Sequence, residues 1–182
     1  KTGSGNDAID VTTGALTTGG YTVEMNGGND ALTITAAAGV NNYTIDGGEG
    51  TDTVSTEATL DLSGKTFSLT RVEILDIDDA ANSANTFTVD SSQVTGKTLV
   101  VTSTQAEGDD VFDVTVTGSV VDLSNINVAT GLVGVTVDGN AYTAVGTTEV
   151  TGTNAVDTIT INGGVGSTAH GGASGDTITG GA

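Results

Sequence analysis

The chain of 182 residues contains no cysteine, no proline and no tryptophan. Without cysteine it has no disulfides, no zinc–thiolate site and no thiol chemistry. Proline would remove backbone donors from a sheet, so its absence is consistent with a stack of paired strands. Stability must then come from packing, repetition or bound metal.

Positive charge is also scarce. Four Lys and Arg residues stand against 23 Asp and Glu, which gives a formal net charge of −19. No basic patch is available to neutralise phosphates, so we expect neither nucleic acid nor anionic membrane as a partner. No apolar run approaches the roughly 18 residues of a membrane span, so no membrane insertion is expected. A surface of this charge attracts divalent cations instead.

The sequence contains few candidates for catalysis. Paired carboxylates for glycoside cleavage are available in so acidic a chain, but three Tyr, three Phe and no Trp provide little of a sugar-binding platform. The only histidine, His170, lies among glycines, and no recognisable serine elbow accompanies it. Without Cys or a second His, a transition-metal site at His170 is less favoured than a solvent-facing corner. We therefore expect no catalytic residue, and any associated enzyme would lie outside this chain.

Glycine, by contrast, is abundant and ordered into a motif. Residues 47–55 read Gly-Gly-Glu-Gly-Thr-Asp-Thr-Val-Ser, a full match to the nonapeptide GGxGxDxUx, in which U is a large apolar residue. The glycines permit positive φ, Asp52 supplies a carboxylate, and Val54 begins a strand that points into a core. A hard cation that takes six to eight oxygen ligands suits such a loop, and that ion is Ca²⁺.

Degenerate copies recur upstream at a regular spacing. Asp7 and Asp30 each stand in a Gly-rich context two residues before an apolar residue, and the Asp separations are 30 − 7 = 23 and 52 − 30 = 22. Two nine-residue half-turns would take about 18 residues, so the spacing predicts one Asp-bearing corner per turn and a longer opposite corner. Tyr21 and Tyr43 would then form a ladder. The competing interpretation is an ordinary turn in which Asp caps its own backbone.

The pattern weakens and then returns toward the C-terminus. A thin copy surrounds Gly108, Asp109 and Asp110, while Asp157 and Asp176 reappear 176 − 157 = 19 residues apart, which predicts that they stack. In residues 163–170 the glycines are kept, but Thr168 takes the place of Asp. Near the middle, the acidic cluster Asp76, Asp78 and Asp79 with Asn82 is better interpreted as a solvated face than as a calcium loop.

These motifs resemble the RTX (repeats-in-toxin, hemolysin-type) calcium-binding repeat family. The resemblance implies a right-handed parallel β-roll, or β-solenoid, with several Ca²⁺ ions between successive turns. Residues 69–77 also resemble a connecting strand of bacterial surface-layer (S-layer) proteins of the Caulobacter type. The residues that this resemblance assigns to the metal are Gly3, Gly5, Asp7, Gly27, Gly28, Asp30, Gly47, Gly48, Gly50, Asp52, Gly108, Asp110, Asn154, Asp157, Gly172 and Asp176.

The chain is predicted to be all-β and to have three parts. Residues 1–58 form an RTX-like calcium roll, residues 59–150 a β-rich solenoid or sandwich, and residues 151–182 a second, truncated roll. In the middle part, residues 60–63, 67–69 and 72–77 are spaced like successive rungs of a solenoid. Helix formers are scarce, and residues 80–84 are the only modest candidate. Both chain ends fall inside repeat-like sequence, which predicts a fragment of a longer protein.

The expected function is that of a calcium-dependent structural protein of the bacterial cell surface. Secreted by a type I pathway, it would fold on binding Ca²⁺ and self-associate into an S-layer lattice, with other parts of the parent protein contacting cell-surface polysaccharide. The alternatives are an RTX adhesin or ligand-binding solenoid with a threonine ladder, and a calcium-folding secretion module of a larger enzyme or toxin. Irregular turn lengths argue against a flat threonine array.

Overall fold

A computed structural model describes residues 1–12, 19–35, 42–77, 84–103, 110–129, 132–142, 146–162, 164 and 166–180. It is nearly all β, and its parallel sheets form a β-solenoid of about six turns. This confirms the predicted all-β solenoid. Gly108, Asp109, Asp78, Asp79 and Asn82 lie outside the described residues.

Eighteen strands and one short helix are present in the described part of the chain. The strands are β1 Ala8–Thr12, β2 Gly20–Glu24, β3 Ala31–Thr35, β4 Asn42–Asp46, β5 Thr53–Thr56, β6 Leu60–Asp61, β7 Thr66–Thr70, β8 Ile74–Ile77, β9 Thr86–Asp90, β10 Leu99–Thr102, β11 Asp110–Thr115, β12 Val120–Asp122, β13 Ile126–Val128, β14 Leu132–Asp138, β15 Glu149–Thr151, β16 Asp157–Ile161, β17 Thr168–His170 and β18 Thr177–Gly180. The helix, α1, spans Ser91–Val94 and lies between β9 and β10.

The described strands form four sheets. Sheet I has the order β1-β3-β5-β8-β10-β13 and sheet II the order β6-β9-β11-β14-β16-β18. Sheet III contains β2-β4-β7, and sheet IV contains β12-β15-β17. The helix lies between sheets III and IV along the solenoid, because it contacts β7 and the amide of Gly96, just after it, donates to Asp122 in β12 at 2.9 Å.

The number of described strands per turn changes along the chain. The first two turns alternate between sheets I and III, the central turns pass through three sheets, and the last turns alternate between sheets IV and II. Register neighbours are 31 − 8 = 23 residues apart at the start, 87 − 60 = 27 apart in the centre and 177 − 158 = 19 apart at the end. Corners absorb these differences, so the strands stay in register.

Side chains along the strands alternate between the interior and the surface of the solenoid. In β3, β4, β9 and β11 every second side chain is buried. The apolar residue two positions after each corner acid stacks on its counterpart in the next turn, as Ile9, Leu32, Val54 and Leu75 do in sheet I. Such inward columns form a continuous core that no single turn has alone.

Aromatic residues also stack along the axis. The rings of Tyr21 and Tyr43 are parallel within 15°, with centroids 5.6 Å apart, which confirms the predicted tyrosine ladder. Burial, with a smaller contribution from the neighbouring Tyr21, raises the pKa of Tyr43 to about 12, so this phenol stays protonated. Phe87 stacks on Phe112 in the same way in sheet II.

Of the two architectures predicted for the middle stretch, the structure has the solenoid and not the sandwich, whereas the prediction of its successive rungs was wrong. A sandwich needs antiparallel sheets, whereas every described strand pair is parallel, and pairs β5–β8 and β14–β16 join the middle stretch to both ends. The segments predicted as successive rungs are β6, β7 and β8, which belong to sheets II, III and I. They are therefore three sides of one turn, because corners of only a few residues separate them.

The short helix was not predicted. Its first residues are fixed by Gln93, whose side-chain oxygen accepts the Asp90 amide at 2.7 Å. The amide group of Gln93 donates to the carbonyl oxygens of Leu62 at 3.2 Å and Lys65 at 2.8 Å, one turn earlier. These bonds hold the helix against the preceding turn, and a contact of this kind has no signature in local sequence.

Candidate cation site at the glycine-rich corners

Corner acids of the first turns stack directly on one another. The amide of Asp7 donates to Oδ1 of Asp30 at 2.7 Å, and the amide of Asp30 donates to Oδ1 of Asp52 at 2.9 Å. Each acid stands immediately before a strand of sheet I, so the parallel register brings the carboxylates into one column. The predicted arrangement of one Asp-bearing corner per turn is thus confirmed for Asp7, Asp30 and Asp52.

Glu73 is a fourth member of this acid column that sequence reasoning missed. Its Oε2 accepts the Asp52 amide at 2.8 Å, and its own amide donates to the Asp52 carbonyl oxygen at 3.1 Å. The signal was present in the sequence, because Glu73 stands two residues before the apolar Leu75 and 73 − 52 = 21 continues the spacing. Without glycines around it, and with Glu in place of Asp, this corner did not match the motif.

Glycines are required at these corners by the close stacking of turns. Gly5, Gly28 and Gly50 occupy equivalent positions with φ of 129°, 124° and 132°, a region that other residues rarely adopt. A Cβ atom on Gly48 or Gly50 would overlap a carbonyl oxygen of the preceding turn, that of Asn26 or Gly28. The motif therefore has a packing reason that is independent of any metal.

Gly3 and Gly27 carry less steric constraint. Gly3 has nothing within 4 Å of where a Cβ would be, and Gly27 only Glu49 at 3.8 Å. Gly27 forms isolated parallel bridges with Ser4 and Glu49, which continue the stacking of turns through the corner.

Two carboxylates of the acid column are buried with one oxygen unsatisfied. Asp30 is 2% exposed and Asp52 is fully buried, and Oδ2 of each has no hydrogen-bond partner. Burial raises the pKa of Asp52, with smaller increases from Asp30 and Glu73, while the Asp30 amide and Arg71 oppose the shift. A buried carboxylate with a free oxygen is costly unless a cation or a proton neutralises it.

The surrounding oxygens suit a hard cation. Both Oδ2 of Asp52 and the carbonyl oxygen of Arg71 lie within 2.5 Å of the position that a Cβ atom on Gly47 would take. Within the described residues, no three His, Cys, Asp or Glu side chains converge as a metal site would need. A cation at Asp52 would therefore take most of its ligands from backbone carbonyls, a donor set that Ca²⁺ accepts.

Asp110 occupies a different corner. It opens β11 in sheet II, whereas the acid column borders sheet I. Its Oδ1 accepts the Asn85 amide at 2.8 Å, and its Oδ2 accepts the hydroxyl of Ser103. Both oxygens of this buried carboxylate are thus satisfied by the protein.

The second glycine-rich region brings Asp157 and Asp176 together. The Asp157 amide donates to Oδ1 of Asp176 at 3.0 Å, which confirms the predicted stacking. Asp157 is fully buried, and its oxygens accept the amide of Thr153 at 2.8 Å and its hydroxyl at 2.9 Å. Burial raises the pKa of Asp157, and the two Thr153 bonds oppose that shift.

Asn154, a predicted metal ligand, bonds to sheet I instead. Its side-chain oxygen accepts the Val128 amide at 2.7 Å, while its amide group donates to Oδ1 of Asn127 at 3.0 Å and the Val128 carbonyl at 3.3 Å. Asn154 therefore covers the edge of β13, the last strand of that sheet. This role of Asn154 could be predicted only from knowledge of which strand ends nearby.

The last corner keeps the motif's geometry despite its altered sequence. Gly172 has a φ of 105°, and a Cβ there would overlap the Thr153 carbonyl. Ser174, with φ of 82°, adopts the left-handed conformation that Gly50 has in the full motif. Thr168 opens β17, and the exposed His170 ends it, so neither belongs to an acid corner.

These features define a parallel β-solenoid with a column of stacked corner acids, of which Asp30 and Asp52 are buried. No family model matches the chain, and neither a curated protein sequence nor a solved structure is similar to it. Among the described residues, no helix is long and apolar enough to cross a membrane.

Proposed function

We propose that the acid column binds Ca²⁺ and that this binding drives folding of the glycine-rich turns. The observation that carries the proposal is the pair of buried, unpartnered oxygens, Oδ2 of Asp30 and Oδ2 of Asp52. Calcium would supply the countercharge that no ion pair of the described residues supplies there. Among the described residues, the salt bridges are Lys1–Glu24 and Arg71–Asp46, and neither involves Asp30 or Asp52.

The energetics favour coupled folding and binding. Without a cation, stacked carboxylates repel one another, and glycine-rich corners lose much conformational entropy on folding. A cation bound only by the folded state contributes its binding free energy to folding. The calcium-free chain should therefore have a much less stable N-terminal region than the calcium-loaded chain.

In the cell, this coupling suits a secreted structural protein of the bacterial surface. A chain that stays unfolded at low calcium can be exported and then fold outside, where calcium is plentiful. We propose that the folded solenoid self-associates as a surface-layer component. The strong negative charge and the repetitive strand architecture support this function, in which calcium also bridges neighbouring copies.

Circular dichroism and isothermal calorimetry of chelator-stripped protein test the calcium proposal. We expect several Ca²⁺ ions to bind, with a gain of β signal and a higher melting temperature, and little response to Mg²⁺. An unchanged spectrum and melting temperature in millimolar calcium would overturn the proposal. Analytical ultracentrifugation tests assembly, because a monomer at every calcium concentration would contradict self-association of this chain.

A second candidate function is a ligand-binding solenoid, which an outward-facing array on sheet II favours. Threonine and aspartate alone occupy two in-register columns, which are Thr88, Asp113, Thr136, Thr158 and Thr177, and Asp90, Thr115, Asp138, Thr160 and Thr179. Irregular turn lengths argued against such an array, yet the corners absorb them. Each of these ten residues is exposed or only partly buried.

Binding to insoluble cell-surface polysaccharide tests this second function. The variant Thr158→Lys places a long side chain in the middle of the array and should abolish binding. Thr44→Lys, on the exposed face of sheet III, is the matched control. Equal binding by both variants, or none by the unmodified protein, would contradict a polysaccharide-binding array.

A further inference from the structure

Five corners with the same acid differ in one backbone conformation. The residue four positions before the Asp is Gly3, Asn26, Gly48, Thr153 or Gly172 for Asp7, Asp30, Asp52, Asp157 and Asp176 respectively. Asn26, Gly48 and Gly172 have positive φ, at 72°, 104° and 105°. Gly3 and Thr153 do not. We call this residue the corner hinge.

The hinge conformation correlates with how the carboxylate is satisfied. Where φ of the hinge is not positive, its amide donates to the Asp, from Gly3 to Oδ2 of Asp7 at 3.2 Å and from Thr153 to Oδ2 of Asp157 at 2.8 Å. Positive φ at Asn26 and Gly48 accompanies an Oδ2 atom without a partner on Asp30 and Asp52. We attribute this to the direction of the hinge amide, which depends on the backbone dihedrals.

We propose that calcium dependence is confined to corners with a left-handed hinge and a buried acid, which are those of Asp30 and Asp52. The corner of Asp157 folds without a cation, because the Thr153 amide and hydroxyl provide the two donors that its carboxylate needs. This inference rests on the proposed function and divides the predicted metal residues into two classes.

The remaining corners either fail one of these two conditions or have both carboxylate oxygens bonded. Asp7 bonds to the amide of Gly3, and Asp110 has both oxygens bonded to Asn85 and Ser103, so neither needs a cation. Asp176 has the left-handed hinge Gly172, but it is only partly buried, so solvent reaches its carboxylate. A cation at Asp157 would compete with the two hydrogen bonds from Thr153, whereas a cation at Asp52 meets no competing donor at Oδ2.

Hydrogen exchange of the unmodified protein, with and without Ca²⁺, tests the division directly. We expect calcium to protect the amides of residues 26–32 and 47–55 and to leave residues 152–160 unchanged. Stripped protein should already protect residues 152–160. Calcium-induced protection of equal size in both regions would overturn the inference.

Matched variants provide a second measurement. Asp52→Asn should bind at least one fewer Ca²⁺ by calorimetry and lose most of the calcium-induced rise in melting temperature. Asp157→Asn should bind as many ions as the unmodified protein, while its melting temperature falls equally with calcium and with chelator. If Asp52→Asn does not fold, Asp30→Asn replaces it.

The two possible failures differ in outcome. An unmodified chain that binds no calcium would overturn the proposed function and the division of corners together. A chain that binds calcium but loses equal numbers of ions in Asp52→Asn and Asp157→Asn would overturn only the division.

Discussion

The corners of Asp52 and Asp157 each have a fully buried Asp two residues before a buried apolar residue, Val54 or Ile159, yet they satisfy their carboxylates differently. Asp52 keeps one oxygen without a partner, while both oxygens of Asp157 accept bonds from Thr153. The difference lies at one residue position, Gly48 or Thr153, through both its backbone conformation and its side chain. A motif can therefore be conserved in outline within one chain while the chemistry of its acid changes.

The two corners also connect different parts of the solenoid. The Asp52 corner leads from sheet III into sheet I, and the Asp157 corner leads from sheet IV into sheet II. Sheet I has already ended at β13, where Asn154 covers its edge. Similar glycine-rich corners thus precede strands of different sheets. The reason is that the number of strands per turn changes between the Asp52 corner and the Asp157 corner.

The largest expected effect comes from adding a side chain to the Asp52 corner. In Gly48→Ala the Cβ would overlap the Asn26 carbonyl, and φ of 104° is unfavourable for alanine. We expect a loss of stability on the order of 3 kcal/mol or more in urea unfolding. Gly175→Ala, in the last corner, meets nothing within 4 Å and should change stability by less than about 0.5 kcal/mol. Similar losses in both variants would mean that close stacking is not specific to the Asp52 corner.

Removal of the Thr153 hydroxyl should cause the next largest loss of stability. Thr153→Val keeps the shape but leaves Oδ1 of the buried Asp157 without a donor, so we expect a loss of about 1–3 kcal/mol in urea unfolding. Thr158→Val, on the exposed face of β16, is the control and should be nearly neutral. A neutral Thr153→Val would show that Thr153 does not substitute for a cation.

The pH dependence should separate the two corners further. Burial raises the pKa of Asp52, Asp113 and Asp157 in the folded state. A raised folded pKa contributes stability that is fully present below the unfolded value of about 3.9 and is lost as the pH rises through the folded value. The melting temperature of calcium-free protein should therefore fall as the pH rises from about 4 to 7.

Saturating calcium should weaken this pH dependence only in part. It neutralises the Asp52 corner, whereas Asp113 and Asp157 continue to titrate. Hydrogen bonds from the Ser124 hydroxyl and amide lower the pKa of Asp122. Its contribution to stability is therefore lost as the pH falls through its folded pKa, which is the opposite direction. A calcium-free melting temperature that rises with pH throughout this window would contradict the proposed cost of the buried carboxylates.

The smallest effect is expected at the one arginine beside the acid column. Arg71 donates to both oxygens of Asp46, at 2.8 and 2.6 Å, and the two side chains are 57% and 34% exposed. Asp46→Asn should shift the urea midpoint only slightly, and high salt should remove the difference, because solvent screens this pair. A large shift that persists in high salt would contradict a weak, solvent-screened pair.

Local sequence was sufficient where the physical cause was local. The spacing of Asp7, Asp30 and Asp52 predicted the turn length and the stacking. An acid two residues before an inward-facing apolar residue can stand only at the corner that precedes a strand, once per solenoid turn. Glu73 could have been found by the same spacing without the glycine requirement. The roles of Asn154 and Gln93 could not be found in the sequence, because each side chain bonds to backbone at least 26 residues away in the chain.

By itself, the sequence determined that this is an all-β chain of parallel turns with acids at their corners, since alternation, glycine spacing and the absence of proline act on neighbouring residues. Only the tertiary structure decided which sheet each strand joins and that Oδ2 of Asp52 stays unpartnered while Thr153 satisfies Asp157. Those outcomes depend on contacts between turns about 20 residues apart, where the corner conformation sets the direction of each amide.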